Sequence, residues 1–303
     1  MRTRIVLASL LTASLLASVA PPAAARDTGQ RGAMLALGDS ISFGYNPLLP
    51  FRDATAFVGW PDVVAPMLHL RDVNASCPGE ATGGFLSPTG VDNICRPYKA
   101  AYPLHVRYTG TQLAFALSYL RAHRDVRLVT LQLGANDLLA LEHRCPPSPQ
   151  RARCIAAHVP GALTGVRRNL RAILGRLRAV YHGPLLMLTY YALSYDPRIG
   201  LTPIALARGA GGLFLAGAVA LNAEMVRASR GFHVLVASGF RSYIPDAMVH
   251  DGNSCTAGLL IVVPPGSSAT REFQDCNGHP SPRGRDLLAG TVLWAIQRAG
   301  GVG

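Results

Sequence analysis

Lysine is almost missing from this chain. Lys99 stands alone, and the net charge of +12 over 303 residues comes almost wholly from arginine. The densest basic stretch, Arg151 to Arg178, has no aromatic residue in it. Single-stranded nucleic acid is bound by basic grooves interleaved with stacking aromatics, so that class of partner is excluded. Within the same stretch Leu163, Val166, Leu170, Ile173, Leu174 and Leu177 recur every three or four residues. That spacing makes one apolar helix stripe and leaves the arginines on the wet face. Attraction to anionic cell envelopes is the role left to the charge. The cysteines lack the short CxxC pairs that zinc sites favour, and no metal, nucleotide or flavin motif is present, so we expect no cofactor. There is no internal repeat and no Ser/Gly-rich linker. A long apolar run is also lacking after the N-terminus: Leu213 to Leu221 is short and follows Arg208, which reads as a buried helix and not a membrane span.

The N-terminus does have an apolar run. Met1 to Arg4 is basic, Ile5 to Ala20 is apolar apart from Ser and Thr, and Ala23 to Ala25 are small. This order predicts a secretory signal peptide over residues 1–25. The apolar segment is short of the roughly 20 residues a bilayer needs. We therefore expect an extracellular, monomeric protein with one domain over residues 26–303 and no integral span after processing. Six cysteines remain in an exported chain: Cys77, Cys95, Cys145, Cys154, Cys255 and Cys276. Three disulfides are the natural reading. Sequential pairing (Cys77–Cys95, Cys145–Cys154, Cys255–Cys276) closes the smallest loops, although spacing leaves other connectivities open.

Short apolar runs alternate with longer amphipathic ones, which predicts βαβ units and a mostly parallel sheet. Strands are expected over Met34 to Leu37, Leu70 to Val73, Val126 to Leu133, Pro184 to Thr189 and Val234 to Ala237. Helices are expected over Trp60 to Leu68, Thr111 to Ala122, Gly161 to Tyr181, Gly212 to Ala228 and Arg285 to Arg298. Pro78 to Thr109, Leu138 to His158 and Phe240 to Pro282 read as long loops at the carboxyl edge of the sheet, where such loops are usually functional. All six cysteines lie in or beside them.

Three short motifs meet at that edge. Gly38-Asp39-Ser40 follows the first strand, Gly79 follows the second, and Gly134-Ala135-Asn136-Asp137 follows the third. In an open sheet of order 2-1-3-4-5 the first and third strands flank the topological switch point, where ligands bind. Ser40 and Asn136 would face each other across it. Serine is a weak nucleophile without a base, and His279, in a loop before the last helix, is the candidate. His250 beside Asp251 reads as structural, since sequence neighbours in a strand point apart. Tyr190 and Tyr191 either line the pocket or cap the core.

Taken in order, Gly38-Asp39-Ser40, Gly79, Gly134-Ala135-Asn136-Asp137 and His279-Pro280 resemble the blocks of the SGNH hydrolases, the GDSL esterases and lipases, and more narrowly their secreted actinobacterial lipase-like branch. The resemblance runs from about Met34 into the final helix. The GxSxG elbow of ordinary α/β-hydrolases is absent. The resemblance implies a three-layer α/β/α sandwich around a five-stranded, flavodoxin-like parallel sheet. It implies Ser40 as nucleophile, His279 as base, and an oxyanion hole made by the Ser40 and Gly79 backbone N–H groups and the Asn136 amide. Asp39 would brace the turn. The family usually has an acid three residues before the histidine, and here that place is Cys276. Three substitutes stay open: Asp275, a backbone carbonyl near Asn277, and Asp251. The implied substrate is an acyl ester. Carbohydrate deacetylation, a thioesterase or a phospholipase activity would use the same centre, and a non-catalytic binding protein is the rival class. Phe85, Leu86, Phe240 and Leu259 to Val263 are the expected acyl-chain site.

Overall fold

The computed structural model describes residues 32–196 and 215–302. The leader expected over Met1 to Ala25, and the first residues of the helix expected from Gly212, lie outside the described residues.

Strands β1 (Ala33–Gly38), β2 (Arg71–Asn74), β3 (Val126–Gln132), β4 (Leu185–Leu188) and β5 (Val234–Ala237) form a five-stranded sheet of order β2-β1-β3-β4-β5. Every pairing is parallel. Both β1 and β4 are buried along their whole length. They are therefore continuous apolar runs, as expected of strands covered on both faces. The Trp60–Met67 and Pro282–Arg298 helices pack together on one face. Those over Gln112–Ala122, Arg151–Arg178 and Leu215–Ser229 cover the other, completing three layers.

Local chemistry sets the helix starts. Pro61 sits in the first turn of its helix, and Asp62 reaches back to accept from the Gly59 N–H at 2.7 Å. Ser281 caps the last helix by accepting from the Gly284 N–H at 3.2 Å, with Pro282 as its first residue. The Arg151–Arg178 helix begins ten residues before the expected Gly161 and runs through Pro160. Its extra turns are held by the Cys145–Cys154 bridge, the Arg151–Glu142 ion pair at 2.9 Å, and Ile155 packed on Leu141 and Cys145.

The three long connections are more structured than expected. Short helices occupy Thr82–Leu86, Cys95–Ala101, Ala135–Leu139 and Leu141–Arg144. The third connection folds into a helix, Gly239–Met248, and an antiparallel hairpin of β6 (Leu260–Val262) and β7 (Cys276–Pro280). His279 is therefore on a strand and not in a loop. Cysteine sulfurs pair at 2.10 Å (Cys77–Cys95), 1.95 Å (Cys145–Cys154) and 2.07 Å (Cys255–Cys276), all at the carboxyl-edge side of the sheet. Among the described residues no helix is long and apolar enough to cross a membrane.

Candidate active site

Gly38 ends β1 at φ +153, and a Cβ there would meet the Gln132 carbonyl at 2.4 Å, so only glycine lets the chain pass this close to β3. Asp39 follows as an N-cap: its Oδ1 accepts from the Ile41 N–H at 3.0 Å, which starts the short Ser40–Phe43 helix and presents Ser40 at the sheet edge. Asp39 is fully buried, and desolvation pushes its carboxyl up to about 7 even though Tyr190 donates to Oδ2 at 2.5 Å. Asp39 thus braces the turn. Tyr190 does both things considered for it, being buried in the core and lining the cavity. Tyr191 is core, with its hydroxyl on the Gly278 carbonyl at 2.6 Å.

The Ser40 hydroxyl oxygen lies 2.8 Å from His279 Nε2. The imidazole packs at a tilt of 56° against Tyr45, with ring centroids 4.9 Å apart. Burial lowers its pKa to about 4, which keeps the ring neutral at ordinary pH. Its other nitrogen, Nδ1, faces the side-chain oxygen of Asn277 at 2.6 Å. Asp275, the acid expected there, is exposed just before β7, and Asp251 sits in a turn at φ 54. The acceptor is the Asn277 side-chain amide, and not Asp275, Asp251 or the backbone carbonyl that was also expected near Asn277. The reason is strand geometry. Alternate residues share a face, so Asn277 stands beside His279, Asp275 lies one pleat further away, and Cys276 points to the opposite side, into its disulfide.

The protonation state follows from the amide. Asn277 Nδ2 donates to the Thr270 carbonyl at 3.0 Å and to the Glu272 carboxylate at 2.8 Å. Both of its hydrogens are used, so the oxygen end must face the ring. Nδ1 then carries the proton and Nε2 is free to accept from Ser40.

Two further donors border the same space. Asn136 is in the second position of the Ala135–Leu139 helix, whose N-cap is Gly134, so it is not the helix cap. Its Oδ1 accepts from Asn93 Nδ2 at 3.0 Å, and its Nδ2 makes a long 3.4 Å contact with Asp39 Oδ2. Asn93 is fixed in turn by His143 at 3.0 Å. Gly79 has φ +79, and a Cβ would strike Ile94 Cγ1 at 2.1 Å. Among the described residues no acceptor takes its N–H.

Ser40, Gly79, Asn136, Asn277 and His279 all line one cavity of about 600 Å³. Its apolar wall is Ile41, Tyr45, Pro47, Phe51, Ile94 and Leu139. The acyl-chain residues expected from sequence lie elsewhere. Phe85, Leu259 and Leu260 are core, Phe240 packs on Tyr195, and Leu86 borders a different cavity. Glu142 and Glu272 line the site, and no arginine or lysine does among the described residues, despite the chain's basic charge.

This sheet order, with its ligand crevice at the carboxyl edge between β1 and β3, defines a flavodoxin-like three-layer α/β protein. More narrowly, the chain belongs to the GDSL-like Lipase/Acylhydrolase family, whose model matches residues 36–287. Among solved structures it is similar to an extracellular lipase from Streptomyces rimosus, at 15% identity and TM-score 0.54 over 87% of this chain and 99% of that one. It is also similar to phospholipase A1 from Streptomyces albidoflavus, at 17% identity and TM-score 0.52 over 88% and 99%. At such identity the likeness is one of fold. No curated protein matches the sequence.

Proposed function

We propose that the chain is an exported serine ester hydrolase, an esterase or lipase, freed of its leader after about Ala25. The observation that carries this reading is the 2.8 Å approach of His279 Nε2 to the Ser40 hydroxyl. The serine oxygen attacks the acyl carbon as its proton passes to Nε2. Negative charge develops on the acyl oxygen and meets the Ser40 and Gly79 N–H groups and the Asn136 amide. The imidazolium then protonates the leaving alcohol, and a water repeats the sequence to release the acid. The apolar wall suits an acyl chain. The two lining carboxyls and the absence of lining cations among the described residues suit a neutral ester better than an anionic one.

Purified mature protein is expected to turn over p-nitrophenyl esters and to take a fluorophosphonate label at Ser40. Ser40→Ala abolishes both, and turnover surviving in that variant rules out the nucleophile. A chain that takes no label is a binding protein. A series of ester chain lengths run beside acetylated xylan separates the substrates, since a steep preference for acetyl turns the reading toward carbohydrate deacetylation.

A further inference from the structure

The acid that would hold the histidine is absent, and its place is taken by an amide with two unlike ends. Asn277 presents Oδ1 to His279 Nδ1 at 2.6 Å and also accepts from the His279 backbone N–H at 3.3 Å. Rotated by half a turn about its last bond, the same amide would aim N–H at Nδ1. Nδ1 would then have to accept, the ring proton would move to Nε2, and Nε2 would point a hydrogen at Ser40 instead of a lone pair. Nothing in the amide itself prevents the rotation.

Glu272 does. Its Oε2 accepts from Asn277 Nδ2 at 2.8 Å, with Oε1 at 3.1 Å, and the Thr270 carbonyl accepts from the same nitrogen at 3.0 Å. The carboxyl is itself fixed, because the Gly278 N–H donates to Oε2 at 2.8 Å, and the Glu272 backbone N–H is tied to the Cys276 carbonyl at 3.0 Å. We propose that Glu272 is the positioning residue that stands in for the missing acid: acting through Asn277, it holds His279 in the Nδ1–H form. The proposal rests on the Ser40–His279 reading above. Two N–H groups converge on Oε2, so a proton taken up on Oε1 leaves the arrangement intact. This matters because burial pushes the Glu272 carboxyl up to about 7. A neutral glutamine can therefore replace it, and an apolar residue cannot.

The test uses the ¹⁵N shifts of the His279 ring together with kinetics on a p-nitrophenyl ester. Wild type is expected to carry its proton on Nδ1. Glu272→Leu moves proton population to Nε2 and lowers kcat by about 100-fold or more at nearly constant KM, the mark of a wrong tautomer. Glu272→Gln stays within about threefold of wild type. In an Asn277→Asp background, adding Glu272→Leu costs less than about threefold, because a carboxylate has no wrong end. The proposal is overturned by a wild-type proton on Nε2, by Glu272→Leu leaving tautomer and kcat unchanged, or by an equal loss in the Asn277→Asp background. If Glu272→Leu fails to fold by circular dichroism, the wild-type tautomer and the Glu272→Gln variant decide. A wild type without ester turnover or label defeats the hydrolase reading alone, and the ring shifts still report on Glu272.

Discussion

The Asn136 amide has both ends engaged: Asn93 donates to its oxygen, while its nitrogen, only weakly engaged by Asp39, keeps a hydrogen for the cavity. On the proposed chemistry that hydrogen meets charge which exists only in the transition state. Asn136→Ala should therefore lower kcat by about 100- to 1000-fold and leave KM nearly unchanged. Steady-state kinetics checks this, and a loss confined to KM would make Asn136 a ground-state binding residue. Residues of this kind were legible in the sequence because local backbone chemistry marks them. Glycines at positive φ flank the turns that carry Ser40 and Asn136, and Gly79 needs its own missing side chain. The partnership of Asn277 and Glu272 was not legible. Asparagine in a Cys-Asn-Gly-His-Pro run reads as a turn former, and the eye goes to the nearest acid, Asp275. Only the pleat of β7 shows which residue faces His279.

At the scale of elements, β7 is the part that brings His279 to Ser40, and little of its own sequence favours a strand. Its register comes from pairing with β6, from the Tyr191 hydroxyl on Gly278, and from Cys255–Cys276. The central strands, by contrast, fell within a residue or two of their expected places because their Leu-, Val-, Met- and Ala-rich runs in a covered sheet need no outside help. The Gly239–Met248 helix was masked by Pro245 in its middle. Removing the bridge tests how far β7 depends on it. Cys255→Ser with Cys276→Ser opens a separation of 21 residues and should lower unfolding stability by about 3 kcal/mol. It should also lower kcat more than the matched Cys145→Ser, Cys154→Ser pair, whose bridge ties the start of a helix away from the histidine. Urea unfolding and kinetics on both double variants read this out. Equal kcat in the two would show that the hairpin alone positions His279.

Over the whole molecule the buried acids set a pH dependence that opposes the proposed chemistry. Desolvation is the first cause of every one of these shifts: Asp39 is pushed up to about 7, Asp137 to about 6, Glu272 to about 7, and Glu80 and Asp72 to about 8, the last helped by neighbouring Asp62. An acid whose pKa is higher folded than unfolded keeps its proton longer in the native state. Its contribution is fully present below the unfolded value, near 4, and is lost as pH rises through the folded value. These five groups therefore destabilise the fold progressively from about pH 4 to about pH 8. His279 works the other way. Its pKa falls from 6.5 to about 4, so its contribution is present above 6.5 and is lost as pH falls toward 4. Self-repulsion in a chain of net charge +12 also penalises the acid side. Between pH 4 and 6.5 the five falling contributions outweigh the single rising one, so Tm should be highest on the acid side, at about pH 4, and fall toward pH 8.5. The proposed base, in contrast, stays neutral and competent from about pH 5 upward, so the acid limb of kcat/KM should sit near 4 and activity should persist where the fold has weakened. Calorimetry across pH 4 to 9 beside the rate profile measures both curves. A Tm that is level or rising between pH 5 and 8 would mean that the buried carboxyls are ionised at little cost, and hence that water reaches them.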